Sequence, residues 1–172
     1  MKNLRSKKVS ESATNDHTHL LFPNDLNAIG TAFGGRVVEI ADRLASTVAR
    51  RHSGRTCVTL LIDSVRFLGP AAQGEILVFK AAVNRVWNTS MEVGVKVLAE
   101  NSKIGKQRHV ASAYFTFVAI NSKNSPVKIR SVVSETEEEK RRYREADERR
   151  EERLRHCIVK GCRNKKGAKS GD

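Results

Sequence analysis

The most regular pattern in this chain lies between Gly35 and Gly54, where no glycine or proline interrupts a helical repeat. Apolar side chains recur there at steps of three and four residues, at Val37, Ile40, Ala41, Leu44, Ala45 and Val48. Charged side chains occupy the opposite face, at Arg36, Glu39, Arg43 and Arg50. Such a repeat is typical of a helix that packs one side against a core. The pattern predicts one long helix that is buried along a single face.

Five other segments have the composition or the alternation of β-strands. They are His17–Phe22, Cys57–Phe67, Glu75–Trp87, Ser90–Glu100 and Gln107–Ile120. In the last segment, alternation places one apolar set on one face of the strand: Ala111, Ala113, Phe115, Phe117 and Ala119. Short turns at Asn88-Thr89 and at Asn101–Gly105 favour an antiparallel meander. One long helix and about five strands predict an α+β fold, with the antiparallel sheet wrapped over a single central helix.

The segment Glu135–Arg155 contains acidic residues first and basic residues afterwards, the order that the helix dipole favours. Glu137 and Arg141 are four residues apart, as are Glu138 and Arg142, so each pair can form an ion pair on a helix. Because the segment lacks an apolar stripe and its charges nearly cancel, a solvated helix lying over the domain is favoured over a nucleic-acid-binding arm. We therefore expect four regions: a flexible N-terminus (1–16), the folded domain (17–134), a charged C-terminal helix (135–155) and a disordered basic tail (156–172).

Length and cysteine content narrow the class of protein. A chain of 172 residues fits one core-forming domain. No apolar run approaches the roughly 18 residues of a membrane span, and the polar N-terminus lacks the apolar segment of a secretory signal. Three cysteines (57, 157 and 162) cannot form a disulfide framework, which favours a reducing compartment, the cytoplasm. Cys157 and Cys162 with His156 lack a fourth ligand and standard spacing, so we expect no metal site.

The charge of the chain is strongly positive. The formal net charge is +13, and residues 20–134 contribute +8 of it, so the folded part is itself basic. A basic domain can attract a polyanion such as a nucleotide-bearing cofactor or nucleic acid. Aromatic residues make up only 5% of the chain, and no motif interleaves aromatic with basic residues. This composition argues against nucleic-acid binding through stacked bases.

Two features at the start of the predicted helix point to chemistry. Gly34 and Gly35 leave the first free N–H groups of the helix unshielded, and these donors suit a ligand oxygen that develops negative charge. Asp42 lies at the edge of the apolar stripe, roughly 10 Å along the helix from Gly35, where a carboxylate could act as general base or nucleophile. A glycine-rich helix entry and a solvated boundary carboxylate are the structural alternatives, and the residues alone leave both open.

The same stretch resembles the signature of a known family. The run Asp25-x-Asn27-x-x-Gly30-Thr31-x-Phe33-Gly34-Gly35, with Asp42 seven residues on, is similar to the motif of hotdog-fold acyl-CoA thioesterases, in the acyl-CoA hydrolase branch. The run Val58-Thr59-x-x-x-Asp63-Ser64-Val65-x-Phe67-x-x-Pro70 resembles the second strand of that family. Residues 88–93 resemble the turn into its fourth strand, residues 115–119 its last strand, and residues 135–143 the trailing helix of several bacterial members. The likeness covers about residues 17–155.

The resemblance implies a fold, an activity and an assembly. The fold is the hotdog fold, and the activity is hydrolysis of an acyl-CoA thioester to free CoA and a carboxylic (fatty) acid, in fatty acid metabolism. No cofactor is implied, because CoA is part of the substrate. The assembly is a homodimer with a continuous sheet, commonly built into a trimer of dimers (a hexamer).

The resemblance also implies roles for individual residues. Asp42 takes the position of the catalytic carboxylate, the amides around Gly34 and Gly35 polarise the thioester carbonyl, and Thr59 from the neighbouring subunit assists. The implied substrate-binding residues are Asn27, Thr31, Phe33, Asn88, Thr89 and Ser90, of which the last three match a region that contacts the CoA phosphates. This sequence departs from the family at Trp87-Asn88, where Gly-Arg or Gly-Lys is frequent. It departs again at Thr31, where some relatives place an Asn or Asp that assists catalysis.

Two alternative functions remain open. A hotdog dehydratase or isomerase acting on acyl-CoA generally pairs a His with the acid, whereas this helix contains only His52, at its far end. A non-catalytic module could instead bind acyl-CoA or RNA through the basic surface. Release of free thiol from a panel of acyl-CoAs distinguishes a hydrolase from a binding module.

Overall fold

The fold is a five-stranded antiparallel sheet with a long helix on each face. The computed structural model describes residues 5–159, with side chains to residue 155. The helices are α1 (Gly34–Ser53) and α2 (Glu137–Val159). The strands are β1 (Lys7–Lys8), β2 (Thr14–Leu20), β3 (Thr56–Phe67), β4 (Ile76–Val86), β5 (Ser90–Glu100), β6 (Gln107–Ile120) and β7 (Val132–Val133). The predicted α+β architecture is confirmed, and a small second sheet, formed by β1 and β7, is added to it.

The central helix α1 has the boundaries that its sequence predicts. It begins at Gly34, directly after Phe33 in extended conformation, and ends before Gly54, which adopts a left-handed φ of 66°. The Gly54 N–H bonds the Arg50 carbonyl, so the glycine closes the last turn. The predicted apolar face is buried: Val37, Ile40, Ala41, Leu44, Ala45 and Val48.

The order of the strands in the sheet is β2-β4-β5-β6-β3. The hairpins β4–β5 and β5–β6 follow the two predicted turns, and the bounds of β5 and β6 match the predicted segments. β3 leaves α1 and pairs with β6 at one edge, while β2 pairs with β4 at the other. The sheet is therefore a three-stranded meander that two non-adjacent segments of chain extend.

The two faces of the sheet differ in polarity. The inward-facing side chains of β6 are the predicted set, and together with Phe79, Met91 and Val93 they form the core against α1. Neighbouring positions point to the other face. Glu92, between Met91 and Val93, therefore lies on the outer face, where α2 covers it. Apolar residues face α1, and a mixture of charged, polar and small residues faces α2.

The prediction of a flexible N-terminus over residues 1–16 is wrong for residues 7–16. β1 pairs in parallel with β7, and Val9 in the following turn is only 5% exposed, packed into the core. β2 begins at Thr14, three residues earlier than predicted. The sequence pattern was weak here because β1 has two residues and its partner lies about 125 positions away.

The predicted C-terminal helix α2 is present and lies over the sheet, but it ends later than predicted. Its helical backbone continues to Val159, so residues 156–159 do not belong to a tail; residues 160–172 lie outside the described part of the chain. Ala146 is fully buried, and the guanidinium group of Arg149 reaches Glu92 beneath the helix. α2 therefore lies over the domain as predicted, and it is docked on the sheet by these contacts. Among the described residues, none of the helices has the length and apolar character needed to cross a membrane.

Candidate functional site

The start of α1 presents two unoccupied backbone donors. The Arg36 and Val37 N–H groups bond the Phe33 carbonyl. In the described part of the chain, the Gly34 and Gly35 N–H groups have no hydrogen-bond acceptor. Two adjacent N–H groups at the positive end of a 20-residue helix form a site for an oxygen that carries negative charge.

Close packing of aromatic rings restricts the space at both glycines. A Cβ atom on Gly34 would lie 3.1 Å from the ring of Phe67, and one on Gly35 would lie 2.7 Å from the ring of Phe33. A side chain at either position would therefore displace an aromatic ring. The two rings are themselves 55% exposed, so they flank an accessible helix start.

A loop braced by Asn27 and Thr31 precedes the helix. The Asn27 side-chain oxygen accepts the N–H groups of Ile29 and Thr31, each at 3.1 Å, and the Asn27 side-chain nitrogen donates to the Thr31 hydroxyl at 2.9 Å. In one chain, then, the Asn27 amide shapes the turn that carries Thr31 to the helix start. The predicted substrate-binding residues Asn27, Thr31 and Phe33 all lie at this end of α1.

Asp25 anchors that loop. The sequence showed Asp25 only as a member of the motif and did not indicate this role. Its carboxylate is buried and accepts the Phe22 N–H at 3.1 Å, His19 Nε2 at 3.0 Å and Arg36 Nε at 3.0 Å. The hydrogen bond from Phe22 holds the pKa of the Asp25 carboxyl below its ordinary value against the opposing effect of burial, with further contributions from His19 and Arg36. Because the Asp25 carbonyl also accepts the Phe33 N–H, this one residue holds both ends of the loop.

Asp42 and Thr59 form a hydrogen-bonded pair on the margin of α1. The Thr59 hydroxyl donates to Asp42 Oδ1 at 2.8 Å. Thr59 therefore lies beside the Asp42 of its own chain. That Thr59 reaches the active site of a neighbouring subunit stays a prediction. Along the chain, Asp42 lies about 18 Å of helix before Gly54, and Thr59 lies about 17 Å of strand after Gly54. Because these lengths are nearly equal and β3 folds back along α1, Asp42 and Thr59 meet.

The helix start and Asp42 are not adjacent in one chain. Asp42 follows Gly34 by eight residues, which is about 12 Å along the helix axis. A group bound to the Gly34 and Gly35 N–H groups is therefore too distant for the Asp42 carboxylate of the same chain, since acid–base chemistry needs contact at about 3 Å.

The turn Asn88–Ser90 lies near the opposite end of α1. The Asn88 carbonyl accepts the Ile129 N–H, and the carbonyl of the next residue, Arg130, contacts His52 in the last turn of α1. His52 is about 27 Å along the axis from Gly34. The structure therefore does not bring Asn88, Thr89 and Ser90 to the helix start of the same chain.

A pocket opens beside the helix start. It has a volume of about 500 Å³, and polar groups of Asn27 and Thr31 stand at its wall beside Gly34. Its remaining lining is largely apolar and includes Val37, Phe67, Leu77 and Val110. A largely apolar pocket that has the first residue of a helix in its wall suits a molecule with a polarised carbonyl on a hydrocarbon chain.

The position of His52 bears on the dehydratase alternative, and the grouping of possible ligand residues bears on a metal site. His52 is fully buried, its Nε2 lies 3.1 Å from the Arg130 carbonyl, and burial lowers its pKa. It lies ten residues beyond Asp42 and is not its partner. In the part of the chain with described side chains, no three His, Cys, Asp or Glu residues are grouped to hold a metal ion, and residues 156–172, where His156, Cys157 and Cys162 lie, are outside it.

The edge strand β3 exposes an apolar row next to this site. Val58, Leu60, Leu61 and Ile62 are each between 40% and 66% exposed. β3 pairs with β6 on one side only, so its other side also presents unpaired backbone groups. An open, apolar edge strand is a surface that proteins ordinarily cover.

Comparison with known proteins gives one consistent result. The family model described as the thioesterase superfamily matches residues 29–106. A Bacillus subtilis protein named uncharacterized acyl-CoA thioester hydrolase YkhA is 40% identical over 79% of this chain and 79% of its own length. A solved hexameric acyl-CoA thioesterase is 36% identical, with a TM-score of 0.86 and coverage of 90% of this chain and 98% of the other.

An acyl-CoA hydrolase from Staphylococcus aureus has been solved with butyryl-CoA, CoA and CoA disulfide. It is 34% identical, with a TM-score of 0.85, and the match covers 91% of this chain and 95% of the other. Variants of that enzyme with an Asp, a Thr or an Asn replaced by Ala have also been solved. In that enzyme the Asn precedes the Asp by 15 residues and the Thr follows the Asp by 17, the same spacing as Asn27, Asp42 and Thr59. The chain belongs to the thioesterase superfamily, among the acyl-CoA thioesterases of the hotdog fold.

Proposed function

We propose that this protein hydrolyses acyl-CoA thioesters, and that Asp42 and Thr59 carry the reaction together with the N–H groups of Gly34 and Gly35. In this reaction a water oxygen bonds to the thioester carbonyl carbon, the carbon–sulfur bond breaks, and CoA leaves as a thiol while the acyl group becomes a carboxylic acid. The observation that carries the proposal is the hydrogen-bonded Asp42–Thr59 pair in a chain whose helix start offers two free donors.

Each group has a distinct part. The Gly34 and Gly35 N–H groups stabilise the oxyanion that forms when the carbonyl carbon becomes tetrahedral. As a general base, Asp42 removes the proton from the attacking water and passes it to the departing CoA sulfur. As a nucleophile, Asp42 instead bonds to the carbonyl carbon and expels CoA, and water then hydrolyses the acyl-aspartyl anhydride to release the acid and restore the carboxylate. Thr59 donates to one carboxylate oxygen of Asp42, which orients the carboxylate and leaves its other oxygen available for the reaction.

The active site needs two copies of the chain. Within one chain about 12 Å separates the oxyanion donors from Asp42. A two-fold axis that joins the open edges of two β3 strands also sets the two α1 helices side by side and antiparallel, so the Asp42 carboxylate of one protomer can approach the helix start of the other. The exposed apolar row on β3 supports this dimer, and the hexameric state of a 36% identical thioesterase supports its assembly as a trimer of dimers.

The pocket, the loop before α1 and the turn Asn88–Ser90 position the substrate. The pocket of about 500 Å³ holds the acyl chain, because its lining is largely apolar and Gly34 forms part of its wall. Asn27 and Thr31 also line it, and the Phe33 ring packs against Gly35 at the adjacent helix start. The turn Asn88–Ser90, remote from this helix start in the same chain, serves the CoA phosphates of the partner's site. No cofactor takes part, and the cytoplasm is the expected location.

The test is release of free thiol by the Asp42→Asn variant. This change keeps the volume of the side chain and removes the base, so turnover of a saturating acyl-CoA should fall by roughly 10²–10⁴-fold while binding persists. Asp16→Asn is the matched control, because Asp16 is exposed on β2 and should leave turnover within two-fold. Turnover of Asp42→Asn within a few-fold of the parent would refute the assignment. Binding of acyl-CoA without thiol release by the parent protein would support the non-catalytic alternative.

A further inference from the structure

A second concave site lies on the outer face of the sheet, remote from the helix start and Asp42. This groove of about 510 Å³ runs beside the first turns of α2, over strands β4, β5 and β6. We define the outer-face groove by its basic residues Lys80, Lys96, Arg141 and Arg142 and its floor residues Ala82 and Gly94. Since the core residues of the same strands face α1, the groove and the core lie on opposite sides of the sheet.

The strand register places like charges directly opposite each other in this groove. Lys80 on β4 is the cross-strand neighbour of Lys96 on β5, and Ser112 on β6 continues the row. Two ammonium groups at facing positions of an antiparallel pair repel each other and destabilise the sheet unless an anion lies between or above them. In the described part of the chain, neither ammonium group forms a hydrogen bond or an ion pair.

On the same face of the sheet, two nearby acidic residues have their negative charge compensated by arginines of α2. Glu92 is fully buried beneath α2, and Arg149 binds both of its carboxylate oxygens, at 2.7 and 3.0 Å. Asp63, at the same end of the sheet, is bound by Arg153 and by the Thr116 hydroxyl. These buried acids therefore receive a partner from within the chain. Among the described residues, Lys80 and Lys96 have no such counter-charge.

The walls and floor of the groove favour a small anion. Arg141 and Arg142 reach it from α2. Glu138, the one acid in the described lining, pairs with Arg142, and Arg141 pairs with Glu145 at 2.6 Å. The floor is formed by the facing pair Ala82 and Gly94, and the Asn84 side chain, which would lie 2.7 Å from a Cβ on Gly94, covers the Gly94 side of it. The open part of the floor is therefore the part above Ala82.

We propose that the outer-face groove binds a small phosphate-bearing anion with at least two negative charges, held between Lys80 and Lys96 and capped by Arg141 and Arg142. The two ammonium groups carry the uncompensated charge and match an anion with two negative charges better than a monovalent anion. The guanidinium groups of Arg141 and Arg142, although paired with Glu145 and Glu138, add hydrogen-bond donors at the rim. The site is separate from the thioester site, because the sheet stands between them.

The test uses inorganic pyrophosphate as the probe and isothermal titration on the full-length protein. The parent should bind pyrophosphate, and the Lys80→Gln/Lys96→Gln double variant should bind it at least ten-fold more weakly. The matched control is Lys103→Gln/Lys123→Gln, which removes the same charge from exposed turn positions and should change the affinity less than two-fold. Ala82→Leu keeps every charge and fills the floor, so it should also weaken binding.

Several results would overturn the proposal. An equal loss in the control pair would reveal attraction to the net charge alone, and absence of binding by the parent would exclude the site. A change in molecular mass by light scattering in the double variant would indicate that the lysines pair with acids of another subunit. Displacement of pyrophosphate by saturating CoA would identify the ligand as the substrate's own phosphates, not a separate anion. Unchanged pyrophosphate binding in CoA-saturated protein supports the separate site.

Discussion

The two long helices pack on opposite faces of one sheet by opposite physical means. α1 buries a face of small and branched apolar residues, in which Ala41, Ala45 and Ala49 are at most 1% exposed. The small residues let the helix approach the sheet closely, and the packing is continuous with the core. α2 packs through charged groups: Arg149 on Glu92, Arg153 on Asp63, and Arg85 of β4 on Asp147 of the helix.

Aromatic rings also contribute to the packing of α2 on the sheet. The guanidinium carbon of Arg149 lies 3.8 Å from the centre of the Tyr114 ring, and Arg150 lies over Trp87 at 4.4 Å. Arg85, from the sheet, lies over Tyr143 of α2 at 3.8 Å. Arginine can serve in both ways, since its planar group stacks on rings while its edge donates hydrogen bonds. A helix without an apolar stripe can therefore be docked by several arginines that form ion pairs and stack on aromatic rings.

The largest expected effect comes from a charge placed in the apolar interface. Ala45→Asp introduces an unpaired carboxylate at a fully buried position, which should cost more than about 4 kcal/mol and abolish cooperative unfolding. Thr47→Asp is the control, because Thr47 lies on the exposed face of the same helix and its replacement should cost less than about 1 kcal/mol. Urea unfolding followed by circular dichroism checks both variants, and a soluble, cooperatively folded Ala45→Asp protein would contradict the account of α1.

In the charged interface between α2 and the sheet, removal of one member of the Arg149–Glu92 ion pair should lower the free energy of unfolding more than removal of both members. Arg149→Met leaves Glu92 buried and unpaired and should cost about 3–5 kcal/mol. Adding Glu92→Gln removes the orphaned charge and should recover a large part of that loss. The measurement is urea unfolding of the four proteins of the double-mutant cycle at one fixed protein concentration. Additive losses would show that the pair is not coupled and that α2 is held by its other contacts.

The start of α1 should be sensitive to acid because Asp25 anchors its loop. The folded-state pKa of Asp25 lies below its unfolded value of about 3.9, so its contribution to stability is present above that pH. That contribution is lost as the pH falls through the folded-state pKa. Asp25→Asn should therefore lower stability at pH 7 and flatten the dependence of melting temperature on pH below about 4. A parallel decline of parent and variant between pH 5 and 2 would contradict this assignment.

The smallest effect is expected on the exposed side of α2. Glu138→Gln removes the partner of Arg142 at a solvent-exposed position and should change the free energy of unfolding by less than about 0.5 kcal/mol. The same change at Glu92, which is buried, supplies the contrast. Guanidinium chloride is unsuitable because it screens charge, so the comparison uses urea at low salt. A loss at Glu138 as large as that at Glu92 would show that burial does not decide the strength of these pairs.

The sequence by itself determined the local elements of this protein. The helical repeat from Val37 to Val48 and the alternation in Gln107–Ile120 depend on neighbours a few residues apart, so they could be read directly. The motif around Gly34 and Gly35 also placed two backbone donors correctly at a helix start, because a helix leaves its first N–H groups without internal partners.

Only the tertiary structure decided which distant groups meet. It placed Thr59 on Asp42 of the same chain, because β3 folds back along α1, and it attached β3 to β6 at the sheet edge. It also docked α2 through arginines, which no search for an apolar stripe could find. These contacts join residues 17 to 90 positions apart, where side-chain pairing depends on the register and direction of whole elements and not on local periodicity.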